Sequence, residues 1–304
     1  MRSGRGDDSV TDPLVLPVRI RDARMAAAVF RADPAAARRE LSGTGLLPWV
    51  VAGRAFAVVL IVRYGPWALG RYDEVGLGVL ARGPGGRRGL HLLDLPVTGA
   101  YTRDVGRAVW SLPKWLMVAD AQVTPTRAGV TISTPPAGGG DGTFVARLRL
   151  DLGSSPDSTS PDPSPDPSPG PDPSPGVGPG VGIGRAWRIG IPVPARVPLW
   201  CVLPDGPRAG VLLRGVMPMR LRGVRVGHGR ARVELGGHPM AQRMAALGVR
   251  EQPLLACTAT GLQATLGAFS PGTSPSLTRA VRGARRTVRW GRVRRSRGER
   301  DAGR

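Results

Sequence analysis

The chain has 304 residues, enough for one large domain or two medium ones, and 41% of them are hydrophobic, which excludes global disorder. Its formal charge of +21 points toward a polyanion, but eleven arginines fall in residues 275–304 beside only Glu299 and Asp301, and the rest of the excess is spread without a dense basic stripe. Two cysteines, Cys201 and Cys257, are too few for a disulfide framework in so long a chain and read as buried thiols.

Residues 1–10 are polar and charged with no apolar stretch behind them, so no leader peptide is expected. A strand can start over 14–20, and Asp33 caps a short helix over 34–40 with proline at its first position. Residues 55–62, bounded by Gly53-Arg54 and Gly65-Pro66, form a buried strand. This longest apolar run is far short of the roughly 20 residues that cross a bilayer, and a cytoplasmic protein is expected. Strands follow over 72–80, which ends in the turn Gly83-Pro84-Gly85-Gly86, and over 91–97; residues 101–110 are helical before Leu112-Pro113. Further strands are predicted at 121–124, 129–133 and 143–150.

Residues 153–184 break the pattern with Ser-Pro-Asp-Pro repeats and Gly-Val-Gly, a composition with nothing to bury, predicted to be extended or disordered and without function. Loop closure costs grow only logarithmically with length, so one domain can carry such an insertion. Strands resume at 187–193, 199–203, 210–213, 219–226 and 231–235, then a short helix at 238–247 and a final strand or strand pair at 254–266. Many short strands punctuated by glycine and proline indicate a barrel or sandwich. In the tail from residue 275, Leu277, Val281, Ala284 and Val288 fall at helical spacing between arginines.

His91, His228 and His238 lie far apart without cysteine or carboxylate clusters, so no metal site is expected. Neither a Gly-x-Ser-x-Gly elbow, a phosphate-binding loop nor a strand-borne dinucleotide fingerprint is present. The basic residues are more informative: 42 are arginine and one, Lys114, is lysine. Arginine replaces lysine wherever only charge is needed. It cannot replace an amine that must lose its proton, because guanidinium stays protonated and is a poor nucleophile. Lys114 follows Pro113 among apolar residues, where lost hydration disfavours the charged amine. A neutral amine can attack a carbonyl, and the iminium then withdraws electrons from the neighbouring carbon. The alternative is a lysine that snorkels its head to water.

The segment Gly106-Arg107-Ala108-Val109-Trp110-Ser111-Leu112-Pro113-Lys114 resembles the Gly-Arg-Glu…Pro-Lys motif around the Schiff-base lysine of the acetoacetate decarboxylase family. Leu69-Gly70-Arg71-Tyr72-Asp73-Glu74 is similar to that family's Tyr-x-Glu stretch, and Arg230-Ala231-Arg232-Val233-Glu234-Leu235 with His238-Pro239-Met240-Ala241 to its closing strand and helix. Val29-Phe30-Arg31-Ala32-Asp33 fits near the start, so the pieces span 25–266 in family order apart from the insertion.

The resemblance implies an α+β, β-rich fold: a single closed, cone-shaped antiparallel β-barrel with flanking helices over 13–274, interrupted by 153–184 and followed by the basic tail 275–304. It implies a carbon–carbon lyase that needs no cofactor. Lys114 would form an imine with a small β-keto acid and decarboxylate it, with Glu74 positioning substrate or moving protons. Arg24 is the candidate for the substrate carboxylate, and Trp115 joins it in the substrate-binding set. The sequence departs from the family at four points: Trp115 stands where a second lysine follows the catalytic one, Ala108 replaces the Glu of Gly-Arg-Glu, Leu112 replaces an aromatic, and Val59 a second carboxylate. Desolvation, aided by the Trp115 indole, would then have to activate the amine. Aldol condensation or dehydration on the same lysine is the alternative within enzymes. A non-catalytic ligand-binding barrel, with the tail holding nucleic acid or an anionic membrane, is the alternative outside them and the less favoured one, since Trp290 is the tail's only aromatic. Oligomeric state is left open, a homo-oligomer included.

Overall fold

The computed structural model describes residues 14–137, 141–153, 186–205, 209–250 and 252–272. The tail 275–304 and nearly all of the insertion 153–184 lie outside them. Among the described residues no helix is long and apolar enough to cross a membrane.

The chain opens with β1 (Val18–Ile20) and β2 (Ala23–Ala32), then α1 (Pro34–Glu40), whose Asp33 cap accepts from the Ala36 amide at 2.8 Å. β3 (Leu47–Pro48), β4 (Ala55–Tyr64), β5 (Tyr72–Arg82) and β6 (Arg88–Asp94) lead to α2 (Ala100–Trp110). Next come β7 (Val118–Val123), β8 (Arg127–Ser133), β9 (Phe144–Asp151), β10 (Trp187–Ile189), β11 (Val193–Cys201), β12 (Leu213–Gly227) and β13 (Arg230–Leu235). α3 (Pro239–Ala246), β14 (Leu255–Leu266) and β15 (Ser270–Pro271) complete the described chain.

Seven strands close on themselves in the order β14-β2-β4-β5-β6-β11-β12, with β12 pairing back to β14. All neighbours in this barrel are antiparallel except β6 and β11, which run parallel at Leu90↔Leu199 and His91↔Trp200. The long excursion through α2 and β7–β10 supplies the crossover a parallel pair requires. A second, four-stranded sheet, β13-β9-β8-β7, was not foreseen from the sequence. Its β9 and β13 pair from Arg230↔Asp151 to Leu235↔Ala146, so strands from the two sides of the insertion share one sheet.

Residue alternation divides the barrel strands between two environments. Ala26, Ala28 and Phe30 of β2, Val59 and Ile61 of β4, and Val75, Leu77 and Val79 of β5 point outward and pack against Val130, Ile132 and Leu148 of the second sheet. The intervening residues face the barrel interior. There Met25 and Val62 join Leu262 and Val224, with Tyr64, Met217, Met219 and Leu221 packed against them. One end of the barrel is plugged by α2, whose Val105 and Trp110 sit with Leu69, Leu95 and Leu112. The Trp110 indole N–H donates to the Gly267 carbonyl at 2.8 Å.

Two elements differ from expectation. β2 is so rich in alanine that no strand signal was read over most of its length, yet its small side chains let the second sheet approach. Of β12 the sequence reading took 219–226 as a strand and ended the preceding one at residue 213, whereas one strand runs through Pro218 from Leu213 to Gly227. Pro218 sits one residue before β12 gains β14 as a second neighbour at Met219↔Ala264, so its missing N–H costs the ladder little.

Candidate active site

Lys114 is brought inside the barrel by the turn that ends α2. Ser111 adopts a left-handed conformation (φ 54°, ψ 35°), and the amides of Ser111 and Leu112 donate to the carbonyls of Arg107 and Gly106 at 3.1 Å. The extended segment that follows is clamped to residues 95–97: Leu95 and Val97 amides donate to Pro113 and Trp115 carbonyls, and the Met117 amide to the Val97 carbonyl. The Arg107 guanidinium donates to the Lys114 carbonyl at 3.0 Å, which gives the Gly-Arg pair of the sequence motif a physical role. Gly106 has another: a Cβ there would lie 2.7 Å from Lys114 Cδ and 2.9 Å from Cε, so the helix face must be bare for the lysine stem to pass.

The amine is almost completely buried. Lys114 Nζ lies 2.8 Å from Glu74 Oε2, with side-chain exposures of 3% and 10%. It donates to Thr102 Oγ1 at 3.1 Å and sits 5.1 Å from the centre of the Tyr72 ring. The other oxygen of Glu74 accepts from the Tyr64 hydroxyl at 3.0 Å. Tyr64 stacks on Tyr72 at 4.5 Å and on Trp67 at 5.5 Å. Burial, and after it the negative charge of Glu74, raise both phenols well above the usual tyrosine range, so they remain neutral. The Trp67 indole Nε1 is buried without a hydrogen-bond partner among the described residues.

Lys114 and Glu74, paired from the sequence, are thus brought together. The other two candidates are not. Arg24 lies directly opposite Arg63 on the outward face of the sheet and is exposed, lining a surface groove with Asp22, Gln122 and Thr124. Alternation places its neighbours Ala23 and Met25 on the interior face instead. Trp115 follows Lys114 in an extended segment and therefore points the other way. Its indole donates to Asp94 Oδ1 at 3.3 Å and packs 4.8 Å from the His238 ring, while Arg243 bridges Asp94 and Glu40. Burial raises the Asp94 carboxyl, and the Arg243 charge opposes that shift. The indole therefore does not surround the amine; Glu74, Thr102 and the Tyr72 ring do.

Sequence reasoning missed Thr102, Tyr64 and Trp67, and quoted Tyr72 and Gly106 without a role. One available signal was rarity. The whole chain has three tyrosines, and two of them stack beside the only lysine. Among the described residues no three His, Cys, Asp or Glu side chains gather into a metal site.

No family model matches the sequence, and no characterised protein matches it at the sequence level. Solved structures do match. The acetoacetate decarboxylase from Legionella pneumophila superposes with a TM-score of 0.54 at 12% identity, covering 88% of this chain and 93% of that one. The chain has the acetoacetate decarboxylase-like fold. The enduracididine biosynthesis enzyme MppR, complexed with pyruvate, matches at a TM-score of 0.54 and 16% identity over 89% of this chain and 95% of that one. An acetoacetate decarboxylase-like enzyme from Sphingomonas wittichii RW1 matches at 0.52 and 16%, over 85% and 93%.

Proposed function

We propose that this protein is an enzyme whose Lys114 forms a Schiff base with a small carbonyl compound inside the barrel. The observation that carries this reading is the burial of the chain's only lysine against a carboxylate at 2.8 Å, in a chain that otherwise uses arginine for every basic side chain. The ammonium is satisfied by Glu74, Thr102 and the Tyr72 ring, and Glu74 is the base in contact with it. Glu74 takes the proton, and the free amine adds to the substrate carbonyl carbon. The protonated Glu74 then gives the proton to the carbinolamine hydroxyl, water leaves, and the iminium stands opposite the restored carboxylate. Tyr64, neutral and hydrogen-bonded to Oε1, keeps the second oxygen of Glu74 occupied so that Oε2 faces the nitrogen.

The iminium is an electron sink for either loss of carbon dioxide from a β-keto acid or aldol-type cleavage, condensation and dehydration. The fold supports both, since its neighbours include acetoacetate decarboxylases and MppR, which was solved with the condensation product of pyruvate and imidazole 4-carboxaldehyde. The test is reduction with borohydride in the presence of a carbonyl panel, followed by peptide mass mapping. A stable adduct on Lys114, lost in Lys114→Arg, is expected. Absence of an adduct with every aldehyde, ketone and keto acid tried would sink the reading.

A further inference from the structure

Beyond the polar groups of Glu74, Thr102, Tyr64, Tyr72 and Trp67, the interior side chains near the amine are apolar, and among the described residues the buried interior charges cancel. Met25, Val62 and Leu262 face the interior beside Tyr64, and Met217, Met219 and Leu221 of β12 line the same space as half-buried side chains. Methionines suit such a wall because the flexible thioether adapts to apolar ligands of different outline. Among the described residues the buried Asp, Glu, Lys and Arg side chains are Asp73, Glu74, Asp94 and Lys114. Asp73 lies on the outward face with Arg63, and Asp94 lies outward with Arg243. Of these buried groups Lys114 and Glu74 are left as a neutral pair in the interior, and the arginine expected to receive a substrate carboxylate, Arg24, is on the other side of the sheet.

We infer that the substrate is an uncharged carbonyl compound, an aldehyde or ketone with an apolar substituent and no carboxylate. This rests on the imine reading above and specifies its substrate class. With such a substrate the charge in the barrel never changes. The ammonium and Glu74 carboxylate become an amine and a carboxylic acid, the carbonyl adds the amine, and loss of water regenerates one cation, the iminium, facing one anion. A keto acid follows the same bond changes but leaves one surplus negative charge beside Glu74, without a second buried cation among the described residues to receive it. Burying a charge that lacks a partner is strongly unfavourable. The carbon–carbon chemistry compatible with this selection is aldol-type, because decarboxylation needs the excluded carboxylate.

The test uses the full chain and two pairs matched in carbon skeleton: butanone against acetoacetate, and butanal against succinic semialdehyde. Trapping rates at Lys114 under borohydride, each normalised to the same carbonyl reacting with free N-acetyl-lysine, are expected to favour the uncharged member by at least about tenfold. Equal or faster trapping of the acids, or an acetoacetate-derived adduct that has lost its carboxylate and forms faster than the butanone adduct, overturns the inference while leaving the imine reading standing. Trapping of neither member overturns both. Glu74→Gln supplies a second measurement: removing the anion should reduce the preference for the uncharged partner by about tenfold, read as a ratio within the variant. An unchanged ratio would show that charge does not set the selection.

Discussion

Gly106→Ala isolates the placement of the amine from the stability of the fold. The new Cβ would sit 2.7 Å from Lys114 Cδ and 2.9 Å from Cε. Ordinary carbon contacts begin at about 3.5 Å, so the lysine stem must move by roughly 1 Å. Nζ is held at 2.8 Å from Glu74 and 3.1 Å from Thr102, and a shift of that size breaks one or both contacts. A misplacement of about 1 Å can cost about a hundredfold in rate. Stability responds differently. Alanine in a helix gains about 0.5–1 kcal/mol over glycine, while overpacking costs about 1–3 kcal/mol. The net change should stay within about 2 kcal/mol. The assay is the pseudo-first-order rate of borohydride trapping by intact mass, run beside urea unfolding. Trapping at the wild-type rate would refute the reasoning, since it would mean the stem does not run past this face of α2.

Breaking the buried pair should be costly, whereas removing both charges should not. Lys114→Met leaves Glu74 buried and unpaired and is expected to lose about 3–5 kcal/mol, most of it recovered in Lys114→Met/Glu74→Gln; denaturant titration of both variants checks this. His91 carries a pH signature, because burial lowers its imidazole to about 4. Unfolded chains take up a proton at this residue below about pH 6.5 that the folded protein refuses until about pH 4. Its contribution is therefore complete above pH 6.5 and falls away on acidification, by about 3 kcal/mol at pH 4. In His91→Leu this part of the slope should vanish from unfolding curves measured across that window. Arg24→Ala and Trp115→Phe should trap carbonyls at rates near wild type, because both side chains lie on the face away from Lys114; Trp115→Phe should lose about 1 kcal/mol with its bond to Asp94. A tenfold drop in trapping for either variant would contradict the facing assigned here.

Much of the site was legible because it rests on residue type. A lone lysine among arginines, set after a proline, singled out Lys114 as the candidate amine, and the resemblance of the upstream Tyr-x-Glu stretch supplied Glu74 as its candidate partner. The short, punctuated strands indicated a barrel or a sandwich, and the family resemblance favoured the closed barrel. Arg24 and Trp115 failed for a common reason: each lies next in sequence to an interior-facing residue, and in extended chain a step of one residue reverses the side of the sheet. No local pattern could reveal that, since β2 is buried on both faces and its alanines fit either environment.

The sequence by itself determined that one amine is singled out, that a carboxylate is its candidate partner, and that strands build the scaffold. Tertiary structure alone decided that β12 returns to β14 and closes the barrel, that a second sheet covers its outside, and that Tyr64, Tyr72 and Thr102 surround the pair. The reason is physical: facing and closure depend on pairings between residues far apart in the chain, such as Met219 with Ala264, which the local periodicity of either strand does not contain.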